Sequence, residues 1–378
     1  MSDTQTVGDV LSQLIDEGYL DEYPETPPFA EDDDTPIYIK ALLGFGGWIA
    51  ALFFFIFAGF CLSVTLLDGI DSEFATGIVF GFLGLVFMGG TLAIQRKDSG
   101  GVFVSQLALA FHIAGHLLFI VGVGMVLSDS ISSETTLIVL LSLIVIVLEV
   151  ILIPLYEDGT FRFLATIIAV IAANVLVYEL NIFGSLSILI GLLAFGVVAV
   201  WSDMLSVETQ IGYRPMLQAV GYGLVFGLFG TIMHELGQNP AYSESVRNGL
   251  HQPLMTALML LAITIWYEVR LLSNYEVALS HRAAMMLLAI TVIITLPTLT
   301  TPGILAALLL IILGYRRRHT VLLVLAYLFM AGFISEYYYS LQVTLLIKSF
   351  ILIGTGVLFL VGGFIFQRAF PVPEATEA

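Results

Sequence analysis

A chain of 378 residues that is 58% hydrophobic and 11% charged has more apolar surface than one water-facing core can hide, since soluble domains sit near ~45–50% even with glycine counted. The formal charge of -17 excludes nucleic acid as a natural partner, because a phosphate backbone selects a basic surface. Apolar residues run on continuously instead of alternating, which excludes a barrel of period-two strands of ~10 residues; the expected fold is an all-α polytopic transmembrane bundle in the lipid bilayer.

Residues 1–36 read as an acidic cytoplasmic tail. Through position 37 the chain carries eleven carboxylates, from Asp3 to Asp34, and no lysine or arginine. Val7, Val10, Leu11, Leu14 and Ile15 fall on one face of a short amphipathic helix that Gly18 is placed to end. The acidic opposite face disfavours anionic lipid, so docking on the protein's own cytoplasmic side or on a partner is expected. Pro24, Pro27, Pro28 and the run Glu31 to Asp34 then predict an extended linker. The start is polar rather than basic and apolar, so no cleavable signal peptide is expected and the first span directs insertion.

The transmembrane domain is assigned to 37–368, with a short cytoplasmic tail over 369–378. Apolar runs predict twelve spanning helices at 38–66, 74–95, 102–127, 133–155, 161–180, 184–201, 215–233, 253–270, 281–297, 302–314, 319–335 and 342–366. The tenth rises only about 20 Å against a hydrocarbon core of ~30 Å, so it either thins its surroundings or joins the ninth in one interrupted element around Pro297 and Pro302. With the N-terminus inside, eleven basic residues fall on the cytoplasmic side, only Arg247 falls outside, and Lys348 lies within the last helix. That asymmetry obeys the positive-inside rule and places both termini in the cytoplasm. Tyr38, Tyr156, Trp201, Tyr213, Tyr267, Tyr315 and Tyr337 to Tyr339 lie near helix ends, as interfacial rings should, whereas Trp48 lies inside the first span.

Cys61, the lone cysteine, lies in the first run and reads as a small hydrophobe. His112 and His116, four apart in the third helix, share one face. They suit a proton relay, or a packed seam in which each donates to a neighbouring helix; two imidazoles alone leave a zinc set incomplete. Glu149, about six residues from the cytoplasmic end of the fourth helix, and Asn174 in the fifth are polar groups at membrane depth that should face protein or a wet cavity. Glu179 and Glu235 fall at outer helix ends, where a wet carboxylate needs no special role. His234-Glu235 lacks the second histidine of a metalloprotease helix, since position 238 is Gln238, and Gly44, Gly46 and Gly47 lie inside a span, where close packing explains them better than a nucleotide loop. No catalytic, metal-binding or cofactor-binding set is assigned, so an intramembrane enzyme ranks last. Lys348 stands about 10 Å below the outer end of the twelfth helix, with Thr344, Ile351 and Thr355 on the same stripe. A lysine at that depth should face protein, in an ion pair or polar cluster, with Glu336 across the short outer turn as the nearest carboxylate, then Glu179 and Glu149.

At the C-terminus the stretch Tyr337, Tyr338, Tyr339, Ser340, Leu341, Gln342, Val343, Thr344, Leu345, Leu346, Ile347, Lys348 and Ser349, followed by Gly354 and Gly356, resembles the signature of a bacterial family of multi-spanning membrane proteins of unknown function. Pro36, Ile37 and Tyr38 leading into Leu42, Leu43 and Gly47-Trp48-Ile49-Ala50 look like that family's opening, with Ile37 in place of the usual aromatic. The resemblance implies the bacterial inner membrane, a helical architecture and a small membrane protein neighbour carrying a GDYxxLxY motif. It implies no activity. Two functions follow from the residues: a transporter-like protein moving a small solute or protons, and an envelope interaction or assembly component working with a small membrane protein partner. A wet cavity lined by Glu149, His112 and Lys348 would favour the first; a dry centre with an exposed apolar groove would favour the second.

Overall fold

The computed structural model describes residues 36–65, 72–95, 101–202, 204, 213–237, 251–295, 299, 301–340, 346–350, 353–354 and 357. The expected tail helix and linker lie outside them. Eleven helices follow in order: α1 (Ile37–Thr65), α2 (Glu73–Gln95), α3 (Gly101–Ser130), α4 (Glu134–Leu155), α5 (Gly159–Leu180), α6 (Ser185–Trp201), α7 (Arg214–Gly237), α8 (His251–Asn274), α9 (Arg282–Thr295), α10 (Gly303–Arg317) and α11 (Thr320–Ser340). A further helical stretch over 346–350 lies in the last predicted run. Eight described helices, α1–α5, α7, α8 and α11, are long and apolar enough to cross a membrane. The expectation of about twelve such spans is corrected on this criterion, because α6, α9 and α10 have only 17, 14 and 15 residues and the predicted helix at 342–366 lies largely outside the described residues. The chain is a multi-pass helical membrane protein.

Local signals set the helix ends. Ser133 and Asp158 occupy the N-caps of α4 and α5, their side chains accepting from the amides of Thr136 and Phe161. Asn181 and Arg318 end α5 and α10 in the left-handed conformation, at φ of 47° and 51°. Two arginines complete helix C-termini on other segments. Arg162 Nε, at the start of α5, donates to the Ile153 carbonyl in the last turn of α4, and Arg317, at the end of α10, donates to the Trp201 and Ser202 carbonyls at the end of α6.

Two bodies of packing result. Helices α2 and α3 approach so closely that a Cβ on Gly84 would lie 2.6 Å from the Gly115 carbonyl oxygen, and one on Gly77 would lie 2.8 Å from the Gly122 carbonyl oxygen. Helix α1 lies against α3, where a Cβ on Gly47 would stand 2.9 Å from the Phe103 carbonyl oxygen. The Trp48 indole donates to Gln106 Oε1 at 3.2 Å, which supplies the polar partner a mid-span tryptophan needs. The second body surrounds α10. Residues 303–307 of that helix are buried in succession, so every side of its first turn meets protein. Its apolar side chains join those of α6, α7, α8 and α11 in the main core. The short tenth helix is therefore surrounded by protein rather than lipid, and a length mismatch with the hydrocarbon core costs little there.

Candidate functional site

The chemistry at membrane depth gathers between α2, α3, α4 and the start of α5. The i, i+4 spacing of His112 and His116 gives α3 a polar face, and the close α2–α3 approach brings Thr91 to His112, with Thr91 Oγ1 and His112 Nδ1 2.8 Å apart. Thr91 Oγ1 also lies 2.9 Å from the Met88 carbonyl. A hydroxyl has one proton; with that proton on the Met88 carbonyl, His112 Nδ1 is the donor to Thr91 and Nε2 carries a lone pair. Nε2 meets no hydrogen-bond partner among the described residues. One turn along the same face of α3, His116 Nε2 lies 3.1 Å from Glu149 Oε1 of α4. Glu149 and His112 are both 0% exposed and His116 is 2% exposed, so the whole set is sealed from lipid.

Aromatic rings form the seal. Tyr156, in the turn between α4 and α5, lies 4.2 Å from the His112 ring, centroid to centroid, and Phe161 meets the same ring edge-on at 4.6 Å. Tyr156 is held there because Arg162 and the Asp158 cap fix the turn on either side of it. Burial, with the Asp158 charge beside it, pushes the Tyr156 hydroxyl up, which keeps the phenol neutral. Met88, Leu109, Leu152 and Ala165 complete the apolar shell. The arrangement can hold one proton between an imidazole and a carboxyl group and offers a second imidazole nitrogen one helical turn away.

The remaining predicted polar residues lie elsewhere. Asn174 Nδ2 donates to Thr231 of α7 and to the Val170 carbonyl, both at 2.8 Å, and Asn174 lines a cleft of about 250 Å³ together with Tyr178, Asn181, Ser185 and His234. Lys348 is half-buried; its amine donates to the Tyr338 carbonyl at 2.8 Å and stands 4.9 Å from the Tyr338 ring centroid. Those are its partners among the described residues, in place of the expected carboxylate, and they belong to the end of α11. In place of the wet cavity lined by Glu149, His112 and Lys348 that would favour transport, the described residues hold a packed His–Glu cluster and a separate lysine contact. Of the motif residues, Tyr337, Tyr338 and Tyr339 end α11, and Leu346, Lys348 and Ser349 are helical. Leu341, Thr344 and Leu345 lie outside the described residues, as do Ile351 and Thr355 of the predicted stripe.

The family described as "Domain of unknown function (DUF4401)" matches residues 36–369. The chain belongs to this family. No curated protein and no solved structure matches it. The match begins at Pro36, after the acidic tail, and ends at Ala369, so it covers every described helix of the DUF4401 chain.

Two buried carboxyl groups escape the sequence reading. Glu268 of α8 is 0% exposed and accepts from Thr291 of α9 at 2.6 Å; Glu235 of α7 is 4% exposed and accepts from Thr256 of α8 at 2.6 Å. The expectation of a wet interfacial Glu235 is thereby overturned. The predicted seventh helix stops at 233, short of Glu235, whereas α7 runs to Gly237; Glu268 lies in the last turn of the predicted eighth helix, which stops at 270, whereas α8 runs to Asn274. Longer helices, as the apolar positions at 271, 272 and 236 allow, would have revealed them.

Proposed function

We propose that this protein is a transporter-like membrane protein that moves protons, alone or coupled to a small solute, and that the His116–Glu149 pair is the transfer site. The observation that carries this reading is a fully buried carboxyl group 3.1 Å from an imidazole nitrogen, with the unpartnered His112 Nε2 a turn away among the described residues. The packed centre by itself counts toward the assembly role; against it, an ionisable pair at this depth is costly to keep in a purely structural role, and intramembrane carboxyl and histidine groups mark proton relays. A multi-pass topology in the bacterial inner membrane with both termini cytoplasmic accompanies the proposal. It draws support from the eleven-to-one distribution of basic residues and from contacts that join helix ends assigned to one side. Gln95 at the end of α2 accepts from the Glu157 amide after α4, and Arg317 at the end of α10 reaches the end of α6. On that topology Glu149 lies in the cytoplasmic half.

The test is proton flux into proteoliposomes holding a pH-sensitive dye, driven by a potassium diffusion potential. Wild-type protein is expected to acidify the lumen well above protein-free vesicles, and Glu149→Gln and His116→Gln to abolish the excess while keeping the detergent-monodisperse species. Absence of flux from wild type, with a small membrane protein copurifying in fixed ratio, replaces this reading with the assembly role. Flux that survives Glu149→Gln removes the pair from the mechanism.

A further inference from the structure

At the end of the bundle shared by the N-termini of α6 and α8 and the C-terminus of α7, three oxygen-bearing side chains meet in the interior. Ser187 of α6 and Thr256 of α8 are 0% exposed, and Glu235 of α7 is 4% exposed. Thr256 Oγ1 lies 2.6 Å from Glu235 Oε1 and 2.9 Å from Ser187 Oγ. The second carboxyl oxygen, Oε2, meets no hydrogen-bond partner among the described residues. Thr256 has one hydroxyl proton; with that proton on Glu235, the contact between Thr256 and Ser187 uses the Ser187 proton, and neither reaches Oε2. A proton on the carboxyl group or a cation that takes the oxygens as ligands would satisfy Oε2.

The donor chemistry selects the cation. All the side-chain donors are oxygens, with no imidazole nitrogen or thiolate among them, which suits a hard ion. One carboxylate neutralises one positive charge; a divalent ion would leave an uncompensated charge in a buried place, at a cost the three helices do not offset. Oxygens that already stand within 2.6–2.9 Å of one another open around a small ion with less displacement than around potassium. A cleft of about 250 Å³ lies beside the cluster, with Leu186 and His234, the chain neighbours of Ser187 and Glu235, in its wall. Gly184 starts α6 at φ 77°, a left-handed conformation that lets the α5–α6 turn close tightly over this end. The other titratable groups here are His234, exposed in the cleft wall; Tyr178, also in that wall; and Glu179, half-buried near the end of α5, which packs on α7.

We infer that Glu235, Thr256 and Ser187 form a sodium-ion site entered from the cleft beside Asn174 and His234, with backbone carbonyls and water completing the coordination. The site is separate from the His116–Glu149 pair and does not depend on the function proposed for it. It gives the protein an oxygen-lined ion position at the opposite end of the bundle, near helix termini of the kind that coordinate sodium in transporters built on discontinuous helices.

The experiment measures binding of radiolabelled sodium to the full-length protein in lipid nanodiscs, with choline holding ionic strength constant. Saturable binding is expected, displaced by unlabelled sodium and not by the same concentration of potassium. Glu235→Gln and Thr256→Val should each weaken it at least about tenfold, or ~1.4 kcal/mol. Thr256→Ser, which keeps the hydroxyl, should retain it, and Glu268→Gln should leave it unchanged. If Glu235→Gln does not fold, Thr256→Val against Thr256→Ser carries the decision. No saturable binding by wild type overturns the site, as does equal binding by Thr256→Val and Thr256→Ser. An infrared carboxyl band that is lost in Glu235→Gln and responds to pH but not to sodium makes this a proton site only, which also overturns it. Loss of proton flux in Glu149→Gln with sodium binding intact separates the two sites.

Discussion

Helices α2–α5 and helices α6–α11 are held together by different means. In the first group the backbones interlock through Gly77, Gly84, Gly115 and Gly122, and a polar chain of Thr91, His112, His116 and Glu149 ties α2 and α4 to α3. Among the described residues its apolar cluster is small, built on Met88, Leu109, Leu152, Tyr156, Phe161 and Ala165. In the second group a short apolar helix, α10, is wrapped by its neighbours, and the buried carboxyl groups Glu235 and Glu268 sit toward helix ends, each on a threonine. The contrast shows two answers to one difficulty. In lipid an apolar side chain gains little by moving from acyl chains to a neighbouring helix, so association must come from close packing or from polar contacts. Both groups have polar contacts; the first adds close backbone-to-backbone approach, the second shape complementarity around a central helix, where Gly303 meets the Phe333 side chain.

The largest expected effect falls on the polar chain. His116→Ala leaves the Glu149 carboxyl group without its imidazole, and removing one partner of a buried pair costs roughly 3–5 kcal/mol. The thermal unfolding midpoint in detergent should drop sharply, and His116→Gln, which can still hydrogen-bond, should recover most of the loss. An Ala variant as stable as wild type would mean that the pair contributes nothing to holding α3 and α4 together.

Next comes the apolar core of the second group. Leu310→Ala on α10, where the side chain is 1% exposed, opens a cavity among α10's neighbours and should cost roughly 2–5 kcal/mol. Proteolysis sharpens the comparison: cleavage should rise first in the loops of α6–α11, with α2–α5 spared. Equal protection loss across both groups would show that the two behave as one cooperative unit.

A smaller effect is expected at the glycine interlock. Gly84→Ala forces a methyl group against the Gly115 carbonyl and Phe119 backbone, an overpacking worth roughly 1–3 kcal/mol. Gly89→Ala lies in the same helix with nothing within 4 Å of the added carbon, and should be neutral or slightly stabilising. Matching midpoints for the two variants would break the claim that backbone approach joins α2 to α3.

How much of this was legible in the sequence differs along the chain. Continuous apolar runs located all eleven described helices within a few residues, because a long apolar run leaves a signal whether it faces lipid or protein and needs no knowledge of neighbours. The His112–His116 spacing and the depth of Glu149 were readable for the same reason, since both are properties of a single helix. Which helix each residue meets was not. Nothing in the local sequence says that His112 finds Thr91 or that Lys348 finds the Tyr338 carbonyl, since each contact depends on how two helices are placed against each other.

Sequence by itself determined that the chain is a multi-pass helical membrane protein, where its helices lie, and which side chains stand deep within single helices. Tertiary structure alone decided that the 15-residue α10 is a wrapped central helix rather than a thin span, because burial is a property of neighbours and the run of leucine and isoleucine would look the same facing lipid. It alone decided that Glu235 and Glu268 are interior groups: one further helical turn moves a carboxyl group from interface to core, and helix ends are where sequence signals are weakest.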